Sequence, residues 1–245
     1  MTRSAIRWTL LMILVLATTA AAQQPAPAVD QILDKYVTAI GGKTALEKVT
    51  SRVSTGTIDL TEQGLTLPVE LYSKAPNKRL VVVDAGEYGK FQQGFDGTVA
   101  WGSNQNGIME MTGGDLANSR RNSVFQSALE LRKTYPTMTL LPDEKVGDQS
   151  ARVILAEPGD GAKVWLYFDA TSGLLIRAKT ERDSAQEGGR TNFDLRLEDY
   201  REFDGMKLPF VFRQTSPTQS YIIRLSEVKH NVPIEDSKFA KPSAQ

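Results

Sequence analysis

Residues 52–230 consist of short runs in which apolar and polar residues alternate, and tight-turn signals separate these runs. Between residues 65 and 71, leucine or valine occupies every second position. The turn signals include Pro158-Gly159-Asp160-Gly161, Thr171-Ser172-Gly173 and Asp204-Gly205. A period of two is typical of β-strands, and connections this short join antiparallel neighbours. The pattern predicts a mainly β (α+β) fold built on one large, strongly curved antiparallel sheet of roughly nine to eleven strands.

Two segments depart from this pattern and follow the spacing of an α-helix. Residues 29–40 place apolar side chains three and four positions apart, and Gly41-Gly42 follows as a stop signal. Residues 115–133 return to the same spacing, with Asp115 at the position expected of an N-cap. We therefore predict an N-terminal helix and one continuous mid-chain helix. The apolar stripe of the second helix includes Val124, Phe125 and Leu129.

The first 22 residues have the pattern of an export signal. Two arginines precede an uncharged run from Trp8 to Ala22, which is short for a membrane-spanning helix. Ala20 and Ala22 occupy the two positions of an A-x-A cleavage site, so we expect the mature chain to begin at Gln23. An uncleaved membrane anchor is the alternative.

The remaining sequence shows no composition break that would divide it. We predict a signal peptide (1–22), a Pro/Ala linker (23–28), one domain (29–240) and a short tail (241–245). Because no second long apolar segment follows, we expect a soluble periplasmic protein that is not integral to the membrane after cleavage, with secretion as the alternative.

The composition excludes several classes of function. The chain has 0 cysteines, which excludes disulfides, thiol catalysis, cysteine-ligated zinc and a lipid-modified cysteine. It has 29 basic and 29 acidic residues, whereas nucleic-acid binding requires a clear basic excess, so we expect no nucleic-acid partner. A histidine-based metal site would need more ligands than the single His230, and we expect neither a metal nor a cofactor.

No catalytic residue is predicted. A Ser-His-Asp triad would have to centre on His230, but the sequence contains no G-x-S-x-G elbow, and we interpret His230 as a surface residue at a strand end. Acidic pairs such as Glu198-Asp199 lie beside Lys or Arg and are interpreted as solvated charge. Asp204-Gly205 suits a type I′ turn, which would place the charges of residues 198–214 on the outside of a hairpin. An enzyme of unknown class stays open as an alternative.

The segment "KVWLYFD", residues 163–169, is apolar at odd and even positions alike. Trp165 and Tyr167 would face one side of the sheet, and the residues between and beside them would face the other. A solvated face should be polar, so both faces of this strand are predicted to be covered. Additional core packing and an apolar ligand cavity would each account for this pattern.

Four stretches, taken together, resemble one known family. "ILDKYVTAIGGKTALEKVTS" is similar to its leading helix, "GFDGTVAWG" to its Asp-Gly hairpin with a following tryptophan, and "LYFDATSGLLIR" to the strands that come next. "LEDYREFDGMKLPFVFR" resembles the late hairpin of outer-membrane lipoprotein-sorting proteins. The family is the LolA/LolB/RseB-like superfamily of periplasmic lipoprotein carriers. The resemblance implies a half-barrel whose concave apolar face is partly closed by helices. Our hypothesis is that the predicted helix 115–133 is a lid, and ordinary core packing of its apolar stripe is the alternative.

The resemblance also implies non-covalent binding without chemistry. The expected ligand is a lipid or the acyl chains of a lipoprotein, with outer-membrane lipoprotein sorting as one such role and a membrane-associated donor or acceptor protein as a further partner. The alternative is an interaction or sensor module, similar to the RseB-type regulators, that binds a protein partner. The candidate residues for the apolar cavity and its lid are Leu67, Val69, Leu71, Trp101, Val124, Phe125, Leu129, Trp165 and Tyr167.

Overall fold

The computed structural model describes residues 28–243, so the predicted signal peptide lies outside the described residues. The helices are α1 (Val29–Ala39), α2 (Lys43–Glu47), α3 (Gly113–Asn122) and α4 (Leu131–Thr134). The strands are β1 (Ser51–Leu60), β2 (Leu65–Lys74), β3 (Lys78–Asp84), β4 (Lys90–Phe95), β5 (Ala100–Asn104), β6 (Gly107–Glu110), β7 (Thr137–Val146), β8 (Gln149–Glu157), β9 (Lys163–Asp169), β10 (Leu175–Ser184), β11 (Gly189–Phe203), β12 (Met206–Thr215) and β13 (Ser220–His230).

These 13 strands form one open antiparallel sheet in the order β6-β5-β4-β3-β2-β1-β13-β12-β11-β10-β9-β8-β7. Two meanders therefore meet at the β1–β13 pair, and β6 and β7 are the two edges. The single large antiparallel sheet is confirmed, but the predicted roughly nine to eleven strands are too few. Strand β7 shows why: its register shifts between Leu141 and Glu144, and the Pro142-Asp143 sequence there resembles a turn.

The sheet curls strongly around α3. Leu116 of α3 packs against Ala100 of β5, while the neighbouring Asp115 pairs with Arg182 of β10. Strands β5 and β10 are eight steps apart in the sheet order, which would separate them by about 38 Å in a flat sheet. A 10-residue helix is only about 15 Å long, so the sheet must bend to bring both strands to it. The face that α3 contacts is thus the concave face.

Helix α1 covers the β7–β10 end of this concave face. Ile32 and Leu33 are each 5% exposed and pack against Leu166 and Phe168 of β9 and their neighbours on β8. Tyr36 adds a tilted aromatic contact with Phe168, with ring centroids 5.2 Å apart. The predicted N-terminal helix is confirmed here, and its apolar stripe forms a sealed core.

The predicted continuous helix over 115–133 is wrong. Helix α3 ends at Asn122, turns follow, and α4 is a single short turn of helix. The backbone N–H of Phe125 donates to the carbonyl of Pro76 at 3.0 Å, so a tertiary contact replaces the helical hydrogen bond there. Asp115 is also not the N-cap, a position that Thr112 occupies without a side-chain bond. Gly114 lets α3 approach β10 this closely, since a Cβ there would lie 2.1 Å from the carbonyl oxygen of Asp183.

The segment after β13 folds back over the convex face of β1–β5. Phe239 is fully buried with Ile234, Leu80, Val82 and Trp101. The indole N–H of Trp101 donates to the backbone carbonyl of Phe239 at 2.9 Å. This strand-free segment therefore supplies the outer core of the first meander.

The hairpin between β11 and β12 turns at Asp204-Gly205, as predicted. Both residues have positive φ, 51° and 72°, which is the requirement of a type I′ turn. Its charged side chains pair locally, with Arg201 on Asp199 and Arg213 near Glu198. These charges are a solvated surface of the hairpin.

Candidate functional site

An apolar surface lies on the concave face, between the parts contacted by α1 and α3. At its centre Ile58, Val69 and Ile223 are buried. Half-buried apolar side chains surround them, and we call the whole set the concave patch. Its half-buried members are Leu60, Leu67, Leu71, Val81, Val83, Phe212, Tyr221 and Leu225.

The pairing register places all of these residues on one face. Leu67 lies opposite Ile58, which lies opposite Ile223, which in turn lies opposite Phe212. Every member of the cluster belongs to β1, β2, β3, β12 or β13, so its partial burial comes from neighbouring strands. Several apolar side chains that are only half-buried and adjacent form the kind of patch that commonly binds a ligand or partner.

A row of polar residues borders the patch at the end of the sheet near α1 and α2. Across adjacent strands, His230, Arg52, Ser73 and Arg79 are in register on the concave face. The side chain of His230 is only 3% exposed, so its interpretation as a surface residue is wrong. The end of β13 is covered because Phe203 packs edge-on against the imidazole, with ring centroids 5.0 Å apart.

His230 links Asp204 to Arg52. The Arg52 Nε–H donates to His230 Nε2 at 3.0 Å, so the proton of a neutral imidazole is on Nδ1, which donates to Asp204 Oδ2 at 3.0 Å. Burial and then the Arg52 charge lower the pKa of His230, although Asp204 opposes them. As a general base, His230 would need a nucleophile hydrogen-bonded to its Nε2 atom. The Arg52 guanidinium occupies that position, and it is not a nucleophile.

The structure separates the predicted site residues into three places. Leu67, Val69 and Leu71 belong to the concave patch. Phe125 lies in the segment between α3 and α4, where the Arg52 guanidinium is 5.7 Å from its ring centroid, and Val124 and Leu129 are half-buried in the same segment. Their roles in binding stay predictions, and the lid would be this irregular segment instead of a long helix.

Three predicted residues lie on the convex face and cannot line the concave patch. Trp101 is 1% exposed beneath the C-terminal segment. Trp165 and Tyr167 pack with Val153 and Ile176 on the side of β9 that faces away from α1. The prediction that both faces of β9 are covered is confirmed. Sequence alone could not assign the faces, because the alternation gives two sides without saying which is concave.

Two cavities open on the convex side of the sheet. The larger, about 700 Å³, is bordered by Trp165, Tyr167, Arg177, Lys179 and Asp194, and both cations lie 5.5 Å from the Tyr167 ring centroid. Arg177 also forms an ion pair with Asp194. The smaller, about 420 Å³, lies between the C-terminal segment and β1–β2.

Much of the concave patch was not predicted from the sequence. Val81 and Val83 stand in the run "RLVVVD", where consecutive valines hide the period of two, and Tyr221 and Leu225 stand on the last strand. The pattern that could have identified the patch is an alternating strand in which every second residue is uncharged, as in Leu65 to Leu71. Among residues 28–243, no group of three or more His, Cys, Asp or Glu residues is placed to hold a metal ion, and no helix is long and apolar enough to cross a membrane.

Comparisons with solved structures agree with the overall fold. A LolA superfamily protein from Nitrosomonas europaea superposes with a TM-score of 0.58 at 15% identity, covering 88% of this chain and 99% of the other. A DUF1329 family protein from Desulfovibrio piger gives 0.57 at 16% identity, covering 86% and 97%. A domain named for outer membrane lipoprotein sorting, from Vibrio parahaemolyticus, gives 0.53 at 14% identity, covering 78% and 89%. The chain therefore has the LolA-like fold that its sequence resembles.

The comparisons of sequence cover a smaller part of the chain. Residues 133–215, about a third of the chain, match the profile of a family of unknown function (DUF6544). This segment runs from the end of α4 to the end of β12, so it covers most of the second meander. No curated protein matches the sequence.

Proposed function

We propose that this chain is an exported binding protein, without catalytic activity, that holds an acyl chain of a lipid or a lipidated protein on the concave patch. The observation that carries the proposal is a contiguous set of half-buried apolar side chains on the inner face of a curled sheet. A structure with the same fold is named for outer membrane lipoprotein sorting, which supports a ligand of this class.

Binding on such a surface would depend on buried area. Removing apolar surface from water contributes about 25 cal/mol per Å², so a few hundred Å² of acyl chain would contribute several kcal/mol before ordering costs. The segment between α3 and α4 would gate access, because it holds the Phe125 ring against Arg52 at the border of the concave patch. The proposed location is the periplasm. This part of the proposal rests on the export pattern of residues 1–22.

The experiment uses a matched pair of substitutions on β2. Leu67→Gln places an amide in the concave patch, whereas Thr66→Gln places the same amide on the exposed convex side of the same strand. Binding of the uncharged fluorophore N-phenyl-1-naphthylamine is titrated with each purified protein. We expect Leu67→Gln to weaken binding about tenfold or more and Thr66→Gln to leave it unchanged, because only the former buries a polar group against the ligand. Equal affinities for the two variants would contradict the proposed site.

The natural ligand is sought in the protein isolated from its own cells. Organic extraction followed by mass spectrometry should release a lipid in near-stoichiometric amount. A stable co-purifying protein with no lipid in repeated preparations would favour the interaction-module alternative. N-terminal sequencing of the same material tests export, since the expected first residue is Gln23.

A further inference from the structure

Two arginine side chains lie on the concave face. Arg52 of β1 and Arg79 of β3 are both in register with Ser73 of the intervening strand β2, so all three share that face. Neighbouring strands are about 4.8 Å apart, which separates the two arginine backbones by about 10 Å. The apolar concave patch begins directly beside this row, at Leu71 and Val81.

Neither arginine has a carboxylate partner among the described residues. The ionisable groups that act on them are tyrosines, Tyr36 on Arg52 and Tyr221 on Arg79. Burial lowers the pKa of both side chains, to about 10 for Arg52. Arg182 on the concave face and Arg224 on the convex face differ, since Asp115 and Asp59 pair with them.

The two arginines are not equivalent. The guanidinium of Arg52 donates to His230 and lies over the Phe125 ring. Arg79 has no hydrogen-bond acceptor within residues 28–243, and the residue as a whole is half-buried, so it is not sealed in the core. A guanidinium withdrawn from water without an acceptor is costly, and an anion that binds it in the bidentate manner removes that cost.

The concave face around Arg79 offers no acid of its own. On β1–β3, β12 and β13, the residues in the concave register include no Asp or Glu, whereas the convex register of the same strands carries Asp59, Glu70 and Glu227. This part of the concave face thus carries two arginines and no acid.

We propose that Arg79 anchors an anionic head group, so that the ligand of the concave patch is an anionic amphiphile with a carboxylate or a phosphate. The anion accepts hydrogen bonds from the Arg79 guanidinium, and the acyl chain lies over the half-buried leucines and valines of β2 and β3. This inference rests on the proposed function and adds the charge of the ligand to it.

The test compares three amphiphiles with the same twelve-carbon chain, all below their micellar concentrations: dodecanoate, dodecyl phosphate and dodecanol. Dissociation constants are measured with the delipidated mature chain by displacement of N-phenyl-1-naphthylamine. A charge-assisted hydrogen bond contributes enough to predict that the wild-type chain binds at least one anion about 10- to 100-fold more tightly than dodecanol. The preferred anion tells whether the head group is a carboxylate or a phosphate.

Variants assign the preference to Arg79. Arg79→Met should reduce the ratio of anion to alcohol affinity to about one, and Arg79→Lys should give an intermediate ratio because it keeps the charge without the planar fork. Arg224→Met, the same change on the exposed convex side of β13, should leave the ratio as in wild type.

The outcomes separate this inference from the proposed function. Equal binding of dodecanol and both anions by the wild-type chain, or an unchanged preference in Arg79→Met and Arg79→Lys, overturns the anchor but leaves the apolar site standing. Failure of all three amphiphiles to bind overturns both. Loss of the preference in Arg224→Met as well would show that it comes from overall charge and would also overturn the anchor.

Discussion

On the concave face, the region under α1 and the concave patch are both apolar, but they differ in what covers them. Beneath α1, Ile154, Leu166 and Phe168 are at most 4% exposed because Ile32 and Leu33 pack onto them. Across β1–β3 and β12–β13, the side chains around Val69 are half-buried and are held by their own strands. The difference teaches that one sheet face can serve as core where a helix covers it and as a binding surface where none does.

The largest effect is expected in the region under α1. Phe168→Ala should lower the free energy of unfolding by about 4 kcal/mol, because it removes a fully buried aromatic ring and leaves a cavity beneath α1. Urea denaturation measures the loss. A loss below about 1 kcal/mol would mean that α1 does not seal this region and that the two regions are alike.

The next effect concerns the contact that holds the sheet curled. Asp115 accepts hydrogen bonds from Arg182 at 2.6 Å, from Ser184 at 2.8 Å and from the backbone N–H of Ala185 at 2.8 Å. Asp115→Asn should cost about 3 kcal/mol, since it leaves the buried Arg182 charge without its counter-ion. Arg224→Met removes a pair on the exposed surface and should cost less than about 1 kcal/mol.

The same aspartate makes a prediction about pH. Burial alone would raise the pKa of Asp115, but the hydrogen bonds from Arg182, Ser184 and Ala185 outweigh it and the pKa is lowered. The ionised carboxylate therefore stabilises the fold above the unfolded-state pKa of about 3.9, and this contribution is lost as the pH falls through the folded-state value. The stability difference between wild type and Asp115→Asn should shrink below about pH 4, and a difference constant from pH 7 to 3 would contradict this.

A smaller effect distinguishes two phenylalanines of β12. Phe210 is 7% exposed, whereas Phe212 belongs to the half-buried rim of the concave patch. Phe210→Ala should destabilise by about 3 kcal/mol and Phe212→Ala by only about 1–2 kcal/mol, because less area leaves water when Phe212 folds. Equal losses in thermal or urea unfolding would remove the distinction between core and concave patch on this strand.

The smallest change in stability is expected at the outer part of the patch. Leu67→Gln should alter the free energy of unfolding by less than about 1 kcal/mol, because the half-buried side chain can turn its amide toward solvent. Adding the ligand should then stabilise wild type more than the variant, by mass action. If the ligand raised the melting temperature of wild type and of Leu67→Gln equally, the ligand would have to bind elsewhere.

Local patterns predicted the elements whose form depends on neighbouring residues. The type I′ turn at Asp204-Gly205, helix α1 and the two-sided burial of β9 follow from turn chemistry and periodicity, and the structure has all three. The prediction of a continuous helix over 115–133 was wrong because the N–H of Phe125 donates to the carbonyl of Pro76, which is distant in the chain. This hydrogen bond takes the place of the one that a helix would form. The interpretation of His230 as a surface residue was wrong for a similar reason, because Phe203 and Arg52, which lie on other strands, cover its side chain.

The sequence by itself determined an antiparallel sheet with an apolar side, because a period of two and short turns are local properties of the chain. Only the tertiary structure decided which side is concave, and so placed Leu67 in the patch and Trp165 outside it. It also decided which arginines meet a carboxylate: Arg182 does and Arg79 does not. Curvature, the return of β13 to β1 and long-range ion pairs join residues far apart in the chain, and no local pattern encodes such pairings.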